Sequence, residues 1–280
     1  MQRKQIKAGL LGFPLSKSLS PEIFRIFSGL TGADINYELR ECGEVELASV
    51  IQAVKGEGWA GFNVTIPHKR SVFKMLDQAD PASRDIEAVN AVRFGRGGLE
   101  GLNTDAAAIR NALEENGIDP AGKSSVIFGS GGSAGAAGWA LGRSRAAAVA
   151  FRARNAAAAQ EISASLARVF PGTIFTAAPF AAAGPADIFV NATPIGMYQP
   201  GMPPAKPKPG DACLDLAYAR GGTEFVKAAA AAGAKGIDGL EVLVRQASLS
   251  LKLWSGLPAG DIVEFNREAI RLLREKLQGE

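Results

Sequence analysis

The chain has little of what builds metal centres and disulfide frameworks: one histidine and two cysteines in 280 residues. Cys42 and Cys213 lie far apart and lack metal-ligand spacing, so they fit a reducing compartment, and no metal site is expected. Charge of one sign is also scarce. A net charge of +3, with no block of Lys and Arg, argues against nucleic acid as a partner. Long apolar runs are missing as well. The run inside MQRKQIKAGLLG is too short for a signal peptide or a membrane span, so the expectation is a cytoplasmic protein without a membrane partner. No internal repeat is visible. What remains is a globular composition, 47% hydrophobic and 21% charged, in a chain long enough for two domains.

One further absence is local. No acidic residue occurs between Ser130 and Gln160. That window sits in the stretch around which the chain is organised. Val126-Ile127-Phe128 is an apolar run, followed by the turn Gly129-Ser130-Gly131-Gly132-Ser133-Ala134-Gly135, a small-residue helix from Ala136 to Leu141, and a second apolar run from Ala146 to Phe151. Strand, glycine turn, helix and strand in about thirty residues is the footprint of a dinucleotide-binding βαβ unit. Gly129 permits the tight turn, Gly131 lets backbone approach a pyrophosphate, and Ala134 lets helix pack close on strand. The helix N-terminus offers free N–H groups to phosphate. An NAD site would place Asp or Glu about 20 residues past the glycines. This chain has Arg152 and Arg154 instead, and a guanidinium suits a 2′-phosphate. The cofactor read from these residues is NADP. The competing reading is a glycine turn in an α/β core with a solvated arginine pair.

The rest alternates in the α/β manner. Strands are expected near Ile6–Gly12, Ile35–Leu39 and Gly61–Ile66, with helices at Glu22–Gly29, Glu46–Val54 and Arg70–Leu76. Ser20 reads as a helix N-cap before Pro21, and Asp80-Pro81 breaks the chain. Segments at 88–92 and 101–105 place amides and a carboxylate at strand ends or in loops. A helix from Ala106 to Asn116 leads into the glycine-turn region. Further strands are expected at Thr173–Thr176, Ile188–Asn191 and Cys213–Leu216, and helices at Glu224–Ala232, Gly239–Ser255 and Ile262–Leu277. The stretch Pro200–Gly210, rich in Pro and Lys, reads as a surface loop free to move. The Ala tracts read as helix and strand filler.

Oxidising an alcohol by hydride transfer needs a group that takes the hydroxyl proton. His68, the single histidine, has no obvious carboxylate neighbour in sequence. Lys69 is the better candidate, since a lysine can exchange protons when desolvated or stabilise an alkoxide as a cation. Asp105 is its natural partner. The competing reading makes both ordinary surface charges.

Taken together, the motifs resemble the shikimate dehydrogenase family nearly end to end. Ser16-Lys17-Ser18-Leu19-Ser20-Pro21 resembles its SxSP substrate loop, Gly61 to Lys69 its GxNVTxPxK motif, Ala88-Val89-Asn90 its AVN, and Asn103-Thr104-Asp105 its NTD. Gly129-Ser130-Gly131-Gly132 is similar to its GxGG turn, Ala153-Arg154-Asn155 to its nucleotide motif, Asn191 to Met197 to NATPxGM, and Asp215 to Tyr218 to DxxY. The resemblance makes Lys69 and Asp105 the catalytic pair. It makes Ser18, Ser20, Asn63, Thr65, Asn90, Tyr218 and Gln246 substrate ligands. Gly129, Ser130, Gly131, Gly132, Ser133, Arg152, Arg154, Asn155, Asn191, Thr193, Pro194, Met197 and Gly239 become cofactor ligands. Departures from the family pattern are Lys17 where His is common, Ala91, Ala106, Ala108 and Val242. They keep quinate or an amino-substituted analogue open as substrate, and a catalytically silent NADP-binding regulator is the contrasting class.

The resulting expectation is an α/β protein of two domains: residues 1–105 with 243–280 for substrate, and 106–242 as a Rossmann-type NADP domain. The resemblance implies NADP-dependent interconversion of shikimate and 3-dehydroshikimate, a step of aromatic amino acid biosynthesis toward chorismate, by a monomer or homodimer.

Overall fold

Apolar residues recurring along QIKAGLLG make β1 (Gln5–Gly12), flanked by α1 (Ser20–Thr31) and β2 (Asp34–Glu41). Then follow α2 (Leu47–Gly56), β3 (Gly61–Val64), α3 (Lys69–Phe73), β4 (Gln78–Ala79), α4 (Pro81–Ile86), β5 (Ala91–Gly95) and β6 (Gly98–Leu102). The computed structural model describes residues 5–182, 184–258 and 260–279. The chain divides into two units, Met1–Thr104 with Val244–Glu280, and Asp105–Leu243.

The sheet of the first unit runs β2-β1-β3-β5-β6-β4. β1 is parallel to β2 and β3, whereas β5 is antiparallel to both β3 and β6. The β5–β6 hairpin, β4 and α4 go beyond the sequence reading. Asp80, read only as a chain break, caps α4 by accepting from Ser83 N at 2.9 Å and also takes Asn103 N at 3.1 Å. At α1 the cap is Leu19, without a side-chain cap bond, and Ser20 is already helical. One core cluster gathers Leu11, Leu47, Ile51, Val54, Trp59, Phe62, Val64 and Val92. Aromatic packing joins Phe24, stacked on Tyr37 with centroids 4.0 Å apart, to Trp254. Gly61 lies so close to Trp254 and the Val92 carbonyl that a Cβ could not be accommodated.

The second unit begins along α5 (Thr104–Glu115) and continues with β7 (Ser124–Phe128), α6 (Gly132–Arg143), β8 (Ala148–Ala153), α7 (Ala156–Val169), β9 (Ile174–Pro179) and β10 (Ile188–Asn191). It closes with β11 (Ala212–Asp215), α8 (Glu224–Ala231) and β12 (Lys235–Ile237). Next comes α9 (Gly239–Ser255), which carries the chain back into the first unit, and α10 (Ile262–Gly279) is the last helix. The sheet is parallel throughout, in the order β12-β11-β10-β7-β8-β9. β7, β10 and β11 are almost wholly buried, which explains the apolar runs Val126–Phe128, Ile188–Val190 and Ala212–Leu214 within them. A Cβ at Gly138 would fall 2.7 Å from Leu166, so small residues set how closely α6 approaches α7. The strand order reverses between β7 and β10, the point at which doubly wound folds bind ligands.

The stretch 200–210 is a surface loop, with Pro204, Lys206 and Lys208 exposed, and it is anchored by its apolar residues. Ala205 is buried, and Met202 packs on the cluster of Phe189, Cys213 and Phe225. Its apolar side chains, few as they are, cover the sheet.

Candidate functional site

In the first unit, the sequence places polar residues at the C-terminal ends of β3 and β6 and just before β5, and backbone pairing draws them together. Val64 N and Asn63 Nδ2 both donate to the Asn90 carbonyl at 2.9 Å, and Val89 N donates to the Lys69 carbonyl at 3.1 Å. Asn90 Oδ1 takes Thr104 N at 2.7 Å, and Asn90 Nδ2 reaches Thr104 Oγ1 at 2.9 Å and Gln246 Oε1 at 3.4 Å. Asn63 Nδ2 also donates to Ser250 Oγ at 2.8 Å, and Tyr37 donates to Asn63 Oδ1 at 2.9 Å. Asn63, Asn90, Thr104 and Gln246 are all buried. The side chains are neutral, so the cluster avoids the cost of burying charge while every amide finds partners.

This arrangement refines the sequence-predicted roles. Both N–H groups of Asn63 are committed within the protein, so only a carbonyl lone pair is left for a ligand. Ser20 is buried and its hydroxyl bonds Tyr37, while Ser18 is half-exposed and accepts from Ser20 N at 3.3 Å. Thr65 donates its N–H to the Leu11 carbonyl at 2.9 Å. Lys69 is half-buried at the start of α3, and Asp105 is half-buried in the first turn of α5, directly after Thr104. Tyr37, Thr104 and Ser250 were not singled out from sequence. Nothing local distinguishes a strand tyrosine or a helix serine 187 residues away from Asn63.

His68 does have partners. Its fully buried ring lies 2.9 Å from Glu44 Oε2 through Nδ1 and 2.8 Å from the Cys42 carbonyl through Nε2. Hydrogen bonds from Ser71 and then His68 hold the Glu44 carboxyl below its usual range. The expectation of a histidine without a carboxylate neighbour is corrected, because Glu44 comes from the β2–α2 connection. The ring pins that connection to the loop carrying Lys69.

The second unit builds its site from backbone. Gly129 has φ +121°, and a Cβ there would lie 2.8 Å from the Ala192 carbonyl. Both facts require glycine. Gly131 is the N-cap of α6 and has open space where a side chain would be, beside the first-turn N–H groups of Gly132 and Ser133. Arg152 and Arg154 stand at the end of β8, and Arg152 Nε is buried without a partner. An uncrowded glycine turn, a helix N-terminus and an unpaired guanidinium donor fit a phosphorylated dinucleotide. Asn155 accepts from Ala158 N at 3.1 Å, so its oxygen caps α7.

Asn191 and Asp215, directly paired at the ends of β10 and β11, form a buried network. Asn191 Nδ2 donates to Asp215 Oδ1 at 2.8 Å and to the Ile195 carbonyl at 2.9 Å, while Asn191 Oδ1 accepts from Thr193 N at 3.1 Å and Thr193 Oγ1 at 2.6 Å. Asp215 also accepts from Ala217 N at 2.9 Å and Thr223 Oγ1 at 2.6 Å. Burial pushes the Asp215 carboxyl up to about 6, against the pull of these donors. Two predicted cofactor ligands are therefore recast. The Asn191 amide is saturated by its own loop and Asp215. Gly239 is buried at the head of α9, where the Ala217 carbonyl occupies the place a Cβ would take. Thr193, Pro194 and Met197 lie on the loop after β10, and Tyr218 on the turn after β11 in the second unit. Burial also pushes the Cys213 thiol up to about 12, so it packs rather than reacts. Among the described residues no group of His, Cys, Asp and Glu could hold a metal ion, and no helix is long and apolar enough to cross a membrane.

Comparison with known proteins gives concordant results. The family model of the shikimate dehydrogenase substrate binding domain matches residues 10–92. The shikimate dehydrogenase (NADP(+)) of Anaeromyxobacter dehalogenans (strain 2CP-1 / ATCC BAA-258) is 35% identical over 257 residues, covering 90% of this chain and 91% of the relative. Among solved structures, the ligand-free 5-ketofructose reductase of Gluconobacter sp. strain CHM43 superposes with a TM-score of 0.85 at 28% identity, over 96% of this chain and 99% of that one. The shikimate 5-dehydrogenase of Thermus thermophilus, in complex with NADP(H) and shikimate, gives 0.80 at 30% identity, over 95% and 99%.

Proposed function

This chain belongs to the shikimate dehydrogenase family, and from that premise we propose that it is an NADP-dependent dehydrogenase interconverting shikimate and 3-dehydroshikimate. The observation that carries the reading is the neutral amide and hydroxyl cluster of Asn63, Asn90, Thr104 and Gln246 at the strand ends beside Lys69. Such a cluster suits a polyhydroxylated acid.

Bound NADP+ would supply the hydride acceptor, and the Gly129–Ser133 turn would hold it, with Arg152 and Arg154 for its 2′-phosphate. Lys69 takes the proton of the hydroxyl being oxidised, returns it in the reverse direction, and stabilises the charge that builds on that oxygen. Asp105 orients the Lys69 amino group, which becomes an ammonium as it takes that proton. The Ser18 and Ser20 hydroxyls hold the substrate carboxylate, Ser20 turning its one proton from Tyr37 to the substrate. Asn90 and Gln246 bind ring hydroxyls, and Asn63 supports Asn90 from beneath. His68 stays outside the proton transfer, because both ring nitrogens are occupied by Glu44 and Cys42.

Turnover of shikimate with NADP+, measured beside quinate and beside NAD+, tests the reading. Preference for shikimate with NADP+ is expected. Faster turnover of quinate, or no turnover of either, would sink it.

A further inference from the structure

The network around Asp215 lies on the β10–β11 half of the second sheet. It joins two loops and one helix end at the C-terminal edges of β10 and β11. Its reach can be followed bond by bond. Thr223 is the N-cap of α8, its hydroxyl accepting from Val226 N at 3.3 Å while donating to Asp215 Oδ2 at 2.6 Å. The other Asp215 oxygen takes Ala217 N, which starts the turn carrying Tyr218, and Asn191 Nδ2, which heads the loop of Thr193 to Met197. Thr193 Oγ1 then accepts from Ile195 N at 3.2 Å. Ala192, between Asn191 and Thr193, has its carbonyl against Gly129 and its N–H on the Phe128 carbonyl at 2.9 Å. The anchored loop is thus the wall of the crevice between β10 and β7, where the strand order reverses. In such a fold the two halves of a dinucleotide lie on the two halves of the sheet. The glycine turn and the arginines belong to the β7–β8–β9 half, so the loop after β10 faces the other mononucleotide.

We propose that Asp215, with Thr223 and Asn191, is a positioning residue for the nicotinamide half of the cofactor, holding the Thr193–Met197 loop in its binding shape without touching the cofactor. The proposal rests on the NADP reading above. Its physical basis is that a carboxylate can accept from all the donors present, whereas an amide or an apolar group at the centre cannot. Without Asp215 or the Thr223 hydroxyl the loop loses its anchor and must be ordered at the moment of binding, which weakens the interaction.

The test uses two probes that share the adenosine half. The variants are Asp215→Asn, Thr223→Val and Thr223→Ser, with binding of NADP+ and of 2′,5′-ADP measured by calorimetry on the full chain. For Thr223→Val, NADP+ affinity is expected to fall about ten-fold, the loss associated with one hydrogen bond to a charged group. Binding of 2′,5′-ADP is expected to stay within about two-fold, and Thr223→Ser to restore NADP+ affinity. Asp215→Asn should match Thr223→Val. If it does not fold, the Val and Ser pair carries the test. Equal weakening of both probes would assign the network to general stability and overturn the proposal, as would unchanged NADP+ binding in Thr223→Val. A wild-type protein that binds neither probe would overturn the NADP reading itself, a result distinct from either.

Discussion

The two units solve recognition in opposite ways. In the first, side chains from β2, β3, α5 and α9 converge, and the bonds joining them span 26, 14, 156 and 187 residues of sequence. In the second, the glycine turn and the caps, Gly131 on α6 and Asn155 on α7, are each built from their own short stretch of chain. The difference reflects the ligand chemistry each is proposed to meet. A phosphate is satisfied by any helix N-terminus that the backbone leaves uncrowded. A ring with several hydroxyls needs donors and acceptors at fixed, separate points, which only side chains on different elements can provide. The Asp215 network is the exception in the second unit. It is side-chain built, it links neighbouring strands, and it sits on the half opposite the glycine turn.

The comparison can be broken most directly at Lys69. Lys69→Ala should lower kcat by about 10²–10⁴ while changing KM for shikimate far less, because the lysine acts chiefly in the transition state. Asp105→Asn should lower kcat and raise KM together. Steady-state kinetics decide, and a near-normal kcat in Lys69→Ala would remove the first unit from the chemistry.

Next in size is a pH effect from Asp215. Its carboxyl moves from 3.8 to about 6 on folding, chiefly through burial. A raised carboxyl pKa means that the folded state keeps its proton after the unfolded chain has lost it. Stability therefore falls as pH rises from about 4 to about 6 and stays lower above that, by roughly 3 kcal/mol at about 1.4 kcal/mol per unit. Urea melts of wild type and Asp215→Asn across this range should converge at the acid end and separate toward neutrality. A constant difference would show that the carboxyl does not titrate in this window.

Smaller still is the cost of opening the amide cluster. Asn63→Ala leaves the Tyr37 hydroxyl, the Asn90 carbonyl and Ser250 without a shared partner. Each keeps another bond, to Ser20, Val64 N and the Gln246 carbonyl respectively, so the loss is about 1–3 kcal/mol in all. Denaturant midpoints measure it, and a change near zero would mean that the cluster is not a cooperative unit. Arg154→Ala, at an exposed position, should weaken NADP+ by about ten-fold and leave NAD+ unchanged, read by parallel titrations. The least effect belongs to a local feature: Asn155→Ala removes the cap of α7 at a cost of about 1 kcal/mol. If that loss exceeded the loss at Asn63, the contrast between long-range and local construction would be reversed.

The same contrast governs what could be read in advance. The glycine turn, the run of β7, the bounds of α9 and the basic end of β8 are local patterns, and each stands in the structure where the sequence puts it. The family resemblance added the order of motifs, because each motif is itself a short local string. Errors came where partners were distant. His68 looked alone because Glu44 is 24 residues away, and Asn191 looked like a cofactor ligand because Asp215 lies in the next strand. The anchoring of the stretch 200–210 is not legible locally, because its few apolar residues show their use only against Phe225 and Cys213.

By itself, then, the sequence determined the α/β class, the parallel second sheet, the glycine turn before α6 and the basic end of β8. These follow from periodicity, glycine geometry and charge within a single stretch of chain. Only the tertiary structure decided which amide binds which, that His68 is a buried brace, that Gly239 exists for the Ala217 carbonyl, and that one carboxylate ties two loops to a helix end. Hydrogen-bond partners are set by distance in space, and strand order in a sheet sets that distance in a way no local pattern encodes.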